Sequence, residues 1–378
     1  MRNYIIQRVI WIFVILFSTL TITFALLKLA PEYPPAKTED KDVWLSHQVS
    51  DGYYLSEFYS VNNPDDMEEI ARIRVEYADK INKTVFLVNP IQDSTIIKVF
   101  YRVPVIEQYF HWAKNVLTDW NWGLSTRIRA NTPAFSIIAE RIPLTLSLNL
   151  LILVFYIPLG FFFGILAALK KDTFVDNFMQ IFIMFFLSLP ALVFILLLII
   201  LFSYQMDGLL PSLFPLLEKE SNWDIAKGFV IPVVASGLPA VAGFTRMLRA
   251  ELSEVLTSEF VLLAKTKGLS HKQAVLRHAI RNSLVPMIPI IIGSFAGLMG
   301  GSFIMERVYA IPGVGLVTLR ALTRSAYDYN VIMSSSAFYS SISLVTVLLV
   351  DLTYGFIDPQ IRMGSKKWWK TILKNISN

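Results

Sequence analysis

Six stretches of this chain are long and apolar enough to cross a membrane as helices, and they decide what it can fold into. A helix needs about 20 apolar residues to cross a hydrocarbon core roughly 30 Å thick. Of the 378 residues, 54% are hydrophobic and only 17% are charged, which is far from the composition of a soluble domain. We therefore expect an all-α polytopic membrane protein with spans at 4–30, 143–169, 174–203, 229–248, 286–305 and 331–356.

Lys and Arg residues at the ends of these spans set the expected orientation, because basic loops stay on the cytoplasmic side. The basic groups all fall on one side if both termini are cytoplasmic: Arg2 and Arg8, Lys170 and Lys171, the cluster 246–281 and the cluster 362–374. The first span is expected to be an uncleaved anchor, since its apolar run is long and no small-residue cleavage site follows it. The protein is thus predicted to be a multi-pass protein of the plasma or inner membrane.

This topology divides the chain into four parts. They are a first span (1–30), an extracytoplasmic insert (31–142), a membrane core (143–356) that contains a cytoplasmic knob at 249–285, and a cytoplasmic tail (357–378). The insert predicts a small mixed α/β structure, with helices at 64–83 and 105–120 and a strand pair at 84–88 and 94–103. It could dock another protein or cover the outer end of the bundle, or it could have no functional role, and both interpretations stay open here.

Small residues and prolines inside the spans predict a packed bundle. Glycines four positions apart allow close helix packing in lipid, and they occur at Gly160 and Gly164 and again at Gly293, Gly297 and Gly301. Pro190 and Pro239 are expected to kink their helices. Few charges lie deep in the spans. Asp351 is the main exception and predicts an interfacial or interhelical contact. Because so few charges lie in the spans, any energy that the bundle uses is expected to come from outside it.

The knob predicts two helices joined by a sharp turn. Leu256, Phe260 and Leu263 recur at helical spacing and predict one apolar stripe. Gly268 suits the left-handed residue that ends a helix, and Ser270 can cap the next one. A basic helical pair between two spans indicates that something in the cytoplasm binds it.

Motifs for catalysis, metal binding and nucleic-acid binding are missing from the sequence. There are no cysteines, the four histidines have no metal-ligand spacing, and no P-loop or Gly-x-Ser-x-Gly occurs. We expect no metal site, no catalytic residue and no ATP hydrolysis by this chain. The net charge of +5 belongs to residues beside the spans, so a nucleic-acid partner is not expected and membrane lipid is.

The knob resembles the cytoplasmic coupling loop of ATP-binding cassette importer permeases, with Glu259, Ala264, Gly268 and Pro286 at the matching places. Other segments are similar to the B-type subunits of oligopeptide and dipeptide permeases: Trp122-Gly-Leu-Ser125, Arg141-Ile-Pro-Leu-Thr145, Pro158 to Ala168 with Asp172 and Asp176, Glu306 with Pro312-Gly-Val-Gly315, and Asp351 to Tyr354. The sequence departs from the family at Pro31-Glu-Tyr-Pro34, at Asp328-Tyr-Asn330 and at Asp358-Pro-Gln360, and these departures bear on the substrate rather than on the architecture.

The resemblance implies a type I importer permease fold and a pore subunit that translocates short peptides. It implies four kinds of partner: a homologous second permease subunit, two cytoplasmic ATPases that hold ATP and Mg, and an extracytoplasmic peptide-binding protein. This chain itself would bind no cofactor. The residues expected to couple to the ATPases are Glu259, Ala264, Lys265, Lys267, Gly268, Leu269, Ser270, Arg277, Arg281 and Pro286. Nickel chelates, glutathione or another small solute remain alternative cargo, and an intramembrane enzyme or scaffold is a more distant alternative.

Overall fold

The computed structural model describes residues 2–29, 34, 37–81, 83–90, 94–215, 221–323 and 327–357. Its helices are α1 (Arg2–Leu29), α2 (Thr38–Ser50), α3 (Pro64–Glu76), α4 (Val105–Asp119), α5 (Ala134–Ala139), α6 (Ile142–Leu169), α7 (Phe174–Ser188), α8 (Ala191–Ile199), α9 (Asn222–Leu256), α10 (Glu259–Thr266), α11 (His271–Ala274), α12 (Ile280–Leu284), α13 (Met287–Val308), α14 (Val314–Ala321) and α15 (Tyr329–Ile357). Its strands are β1 (Tyr54–Ser60), β2 (Val85–Val88), β3 (Ile96–Arg102), β4 (Leu124–Ser125) and β5 (Thr132–Pro133).

Some of the sequence predictions fall outside the described residues. These are the cytoplasmic tail from 358 onward with its basic cluster, the Asp358-Pro-Gln360 motif, most of the 31–34 motif, and the surroundings of Gly301. The described part of the chain is predominantly helical.

Five helical stretches of the described residues are long and apolar enough to cross a membrane: Ile5–Leu29, Ala134–Leu169, Asn222–Leu256, Met287–Val308 and Tyr329–Thr353. The predicted span at 174–203 is not a continuous helix but breaks at Pro190, where the sequence predicts a kink. It consists of α7 and α8, which meet at a 98° bend, and only if this pair is one span does the count reach six. Leu189 is extended at the break because the ring of Pro190 disfavours a helical residue before it.

Pro239, the other proline expected to kink a helix, lies inside a continuous helix. α9 runs for 35 residues through both Pro232 and Pro239. It is also longer at both ends than the predicted span at 229–248. At its N-terminal end, Ser221 caps the helix by accepting a hydrogen bond from the backbone N–H of Asp224.

Contacts within the described residues divide the chain into two compact units. The first comprises residues 1–14, 141–316 and 341–378, and α6 packs along α9 in it. Its core is apolar and fully buried at Leu148, Ile152, Ile195 and Val241. Asp351 forms the expected interhelical contact, an ion pair of 3.2 Å with Arg8.

The second unit comprises residues 15–140 and 317–340 and contains a three-stranded antiparallel sheet in the order β1-β3-β2. Tyr54 pairs with Arg102, and Val85 pairs with Tyr101. The predicted strand pair is present as β2 and β3, and the two predicted helices are present as α3 and α4. α2 and β1 were not predicted from the sequence, and they complete this α/β structure.

Candidate functional site

The first short helix of the knob is α10, which ends in a Schellman motif. The backbone N–H of Gly268 donates to the Lys265 carbonyl (3.0 Å), and that of Leu269 donates to the Ala264 carbonyl (3.3 Å). Gly268 has φ 92°, which is the left-handed conformation that the sequence predicts there. This turn satisfies carbonyl groups at the end of α10 and reverses the chain in few residues.

A capping box starts the next helix immediately after this turn. The Ser270 hydroxyl accepts from the Gln273 backbone N–H (3.3 Å), and the Gln273 side chain accepts from the Ser270 backbone N–H (3.1 Å). The second helix of the knob has three parts: α11, a π-helical turn at Val275–Ala279, and α12. Because both ends of the glycine turn are hydrogen bonded, the angle between the two helices is fixed locally.

Small buried side chains hold the knob to the membrane core. Val261 and Ala264 of α10 pack in one cluster with Leu252 of α9, together with Ala168, Ala274 and Ala279. Val261 is 1% exposed and Ala264 is 7% exposed. The helices approach closely because these side chains are short, so the knob is expected to move as one body with α9.

The outward face of the knob is apolar and basic. Phe260, Leu262 and Leu263 are 37%, 62% and 55% exposed on α10. Phe260 and Leu263 of the predicted apolar stripe are therefore exposed, and the shorter Val261 and Ala264 occupy the buried face of α10. The exposed basic residues are Lys265, Lys267, Lys272, Arg277 and Arg281. Large apolar side chains outside the spans in one exposed patch mark a surface for another protein.

The remaining predicted coupling residues lie at the borders of the knob. Glu259 is exposed at the first position of α10, where a carboxylate interacts favourably with the helix dipole. Pro286 precedes the first residue of α13, and its fixed φ suits a helix start. Leu269 is partly buried against the cluster that includes Ala264.

An ion pair next to the knob was not selected by the sequence analysis. Arg249 of α9 donates two hydrogen bonds to Asp176 of α7, at 2.6 and 2.7 Å, and the Asp176 side chain is 1% exposed. Asp176 also accepts from the backbone N–H of Asp172. The bidentate geometry joins α7 to α9 at Arg249, the first residue of the knob segment 249–285. Asp172 and Asp176 were noticed as motif residues, but the sequence carried no signal for their partner.

The predicted glycine faces differ in what they contact. A Cβ added to Gly160 would lie 2.7 Å from Phe244, and one added to Gly164 would lie 2.9 Å from Leu248, so these glycines let α6 lie close to α9. A Cβ added to Gly293 or Gly297 would meet nothing within 4 Å. Within the described residues, this second face therefore has no packing partner on the same chain.

Two further buried carboxylates, which were not predicted as site residues, accept hydrogen bonds from residues of the other sequence motifs. In the first unit, Glu306 accepts from the Thr145 hydroxyl (2.8 Å) and the Leu316 backbone N–H (3.0 Å), while Arg141 donates to the Pro312 carbonyl (3.2 Å). A Cβ on Gly313 would lie 2.4 Å from the Glu306 carboxyl group, so glycine is needed there. Glu306 thus fixes the Pro-Gly-Val-Gly turn.

In the second unit, Asp328 has the corresponding role for the 125–128 loop. One carboxylate oxygen accepts from the Ser125 hydroxyl and from the backbone N–H groups of Thr126, Arg127 and Ile128, at 2.6 to 3.2 Å. Two residues later, Asn330 donates to the Leu124 carbonyl and to Asp51. These contacts are structural, and in the described part of the chain no group of three or more His, Asp or Glu side chains could hold a metal ion.

Comparison with known proteins places these features in one family. Residues 160–363 match the family model described as binding-protein-dependent transport system inner membrane component. The chain is 32% identical over 260 residues to the dipeptide transport system permease protein DppB of Lactococcus lactis, covering 69% of this chain and 82% of that protein. It is 31% identical over 273 residues to DppB of Bacillus subtilis, covering 71% and 84%. It is 31% identical over 262 residues to the oligopeptide transport system permease protein OppB of Haemophilus influenzae, covering 68% and 81%.

Solved structures similar to the chain include an amino acid ABC transporter with histidines. The TM-score is 0.44 at 16% identity, and the match covers 56% of this chain and 91% of the other.

Proposed function

We propose that this chain, which belongs to the family of binding-protein-dependent transport system inner membrane components, is a permease subunit of an ATP-driven importer of short peptides. Its relatives named as dipeptide and oligopeptide permeases support peptides as the cargo. The chain contributes membrane-spanning helices, and the energy comes from subunits that bind to it.

The observation that carries the coupling role is the construction of the knob. Its inner face is buried against α9, its turn is fixed by Gly268 and Ser270, and its outer face presents Phe260, Leu262 and Leu263. A rigid projection with an apolar outer face can transmit movement from a bound protein to the helices behind it. We assign this bound protein as a cytoplasmic ATPase, two copies of which would hold ATP and Mg, while this chain binds no cofactor.

The full transporter in this proposal also contains a homologous second permease subunit and an extracytoplasmic peptide-binding protein. Both termini and the knob lie in the cytoplasm, and residues 31–142 lie on the opposite side, as the distribution of Lys and Arg supports. The insert is then placed where the binding protein arrives. ATP-driven closure of the ATPases would move the helices between inward-open and outward-open states.

Crosslinking tests the assignment of the knob, and the absence of native cysteines makes single-cysteine variants straightforward. We expect Leu262→Cys, carrying a thiol–amine crosslinker, to form a covalent product with the ATPase subunit of the purified complex. Val75→Cys is the matched control, because it is also an exposed helix position (80%) but lies in the insert. A product from Val75→Cys but none from Leu262→Cys would contradict the assignment.

A further inference from the structure

Helix α4 of the insert has three different faces. Its buried face consists of Gln108, Trp112 and Val116. At 100° per residue, Ile106, Phe110 and Leu117 fall on one narrow stripe, and they are 63%, 64% and 74% exposed. A third, polar face lies on the other side of this stripe and consists of Glu107, His111, Lys114 and Thr118, all exposed.

The apolar stripe lies next to the side of α4 that contacts α1. Tyr109 sits between the stripe and the buried face, and its hydroxyl is 2.9 Å from the Thr21 hydroxyl. Its ring lies 5.4 Å from Phe24 and 6.3 Å from Phe17, measured between centroids. The neighbouring Phe110 ring is 5.7 Å from Tyr109. One apolar surface therefore runs from Phe17 through Tyr109 to the exposed stripe.

These contacts lie beside the membrane-spanning part of α1 rather than beyond its end. The apolar span runs from Ile5 to Leu29. Thr21 is about 12 Å before Leu29 and Phe17 about 18 Å before it, at a rise of 1.5 Å per residue. Phe17 is at the middle of this apolar span and is 45% exposed, so its ring is available to lipid if the span crosses a membrane. An interfacial helix buries its apolar face among lipid acyl chains, and Tyr109 of α4 contacts α1 within its apolar span rather than beyond its end.

The C-terminal end of α4 meets the start of the next span. Trp120, which follows α4, is 64% exposed, and its ring lies 5.4 Å from that of Phe135. Phe135 is the second residue of the apolar stretch Ala134–Leu169. Tryptophan is enriched at the membrane–water boundary, where its ring is apolar and its N–H is polar. α4 therefore contacts α1 through Tyr109 and the first residues of the next apolar stretch through Trp120.

From this arrangement we propose that α4 is an interfacial helix whose apolar stripe is covered by lipid acyl chains. Ile106, Phe110 and Leu117 lie in the bilayer, and the face with Glu107, His111 and Lys114 lies in water. The apolar surface is continuous with the lipid-exposed side of α1, and the polar face is on the far side of the stripe, as a helix at a boundary requires. The helix would hold the insert at a fixed height above the membrane surface.

Nitroxide accessibility tests this placement in the full-length chain reconstituted into phosphatidylcholine vesicles. Single cysteines at Phe110 and Leu117 are compared with matched controls at His111 and Lys114 on the polar face of the same helix. We expect labels at Phe110 and Leu117 to collide several-fold more with oxygen, which partitions into lipid, than with a water-soluble nickel chelate. The two control labels should show the opposite ratio.

Two results would overturn the proposal. Equal nickel accessibility at all four positions would place the stripe in water, and protection of Phe110 and Leu117 from both reagents would show that protein covers it. If Phe110→Cys fails to insert into vesicles, Ile106→Cys replaces it on the same stripe. The result is independent of whether the protein transports peptides, because the test requires only that the chain spans the membrane.

Discussion

Replacing Gly268 by valine should uncouple ATP hydrolysis from transport. Gly268 has φ 92°, and a Cβ there would meet nothing within 4 Å, so the cost of Gly268→Val is conformational rather than steric. A residue with a side chain pays about 1–2 kcal/mol in the left-handed region, and a β-branched one is at the upper end. This corresponds to a roughly 5- to 30-fold decrease in the population of the native turn relative to other conformations of these residues. The Ser270 capping box depends on that turn and would be lost with it.

The assay measures peptide uptake and ATP hydrolysis together in reconstituted vesicles. We expect Gly268→Val to insert normally, because the spans are unchanged, and to lose uptake by a factor of roughly 5 to 30 for each ATP hydrolysed. Gly208→Val is the matched control: its φ is 76°, a Cβ there also meets nothing within 4 Å, and it lies outside the knob. Gly268→Asn should retain most activity, since asparagine tolerates this conformation. Normal coupling in Gly268→Val, or equal losses in both valine variants, would show that the left-handed turn at Gly268 does not couple ATP hydrolysis to uptake.

Three further predictions concern other parts of the chain. Arg249→Ala should lower stability by about 3–5 kcal/mol in thermal or denaturant unfolding, because it leaves a buried aspartate unpaired, whereas Lys227→Ala at an exposed pair should cost about 0–1 kcal/mol. Burial raises the pKa of Asp51 to about 6, above its ordinary value of 3.8, against the opposing effects of its hydrogen bond and a nearby lysine. The folded insert therefore binds a proton more tightly than the unfolded chain, so its protease resistance should fall as the pH rises from about 4 to 6 and Asp51→Asn should remove this dependence. Cysteines at exposed Glu68 and Lys272 should react with an impermeant thiol reagent from opposite sides of the membrane, and labelling of both from one side would exclude the proposed topology.

Local chemistry explains why the knob could be predicted in detail. The left-handed turn at Gly268 and the cap at Ser270 depend on residues within one helical turn, so the sequence contains the information. The apolar stripe predicted for α10 did not indicate which residues are buried, and its members Phe260 and Leu263 are exposed. Close packing against α9 instead selects the short side chains of Val261 and Ala264, and this preference belongs to the tertiary structure.

The insert shows the same division between local and long-range information. β2 and β3 carry β-branched and aromatic residues and were predicted, whereas α2 is largely polar and buries few residues, Trp44 among them, so its periodicity is weak. Asp328 binds backbone groups about 200 positions earlier in the chain, and no local pattern indicates this partner. The break at Pro190 was expected as a kink, but the sequence alone does not give the size of its 98° bend.

Reconstituted transport tests whether this chain is a subunit of an ATP-driven peptide importer. The chain, its second permease subunit, the two ATPases and the binding protein are placed in vesicles, and accumulation of a labelled dipeptide is measured with ATP, without ATP, and with a non-hydrolysable analogue. We expect the labelled dipeptide to accumulate only when ATP is hydrolysed and the binding protein is present. Accumulation without ATP hydrolysis, or hydrolysis stimulated by the binding protein with no movement of any di- or oligopeptide, would contradict it.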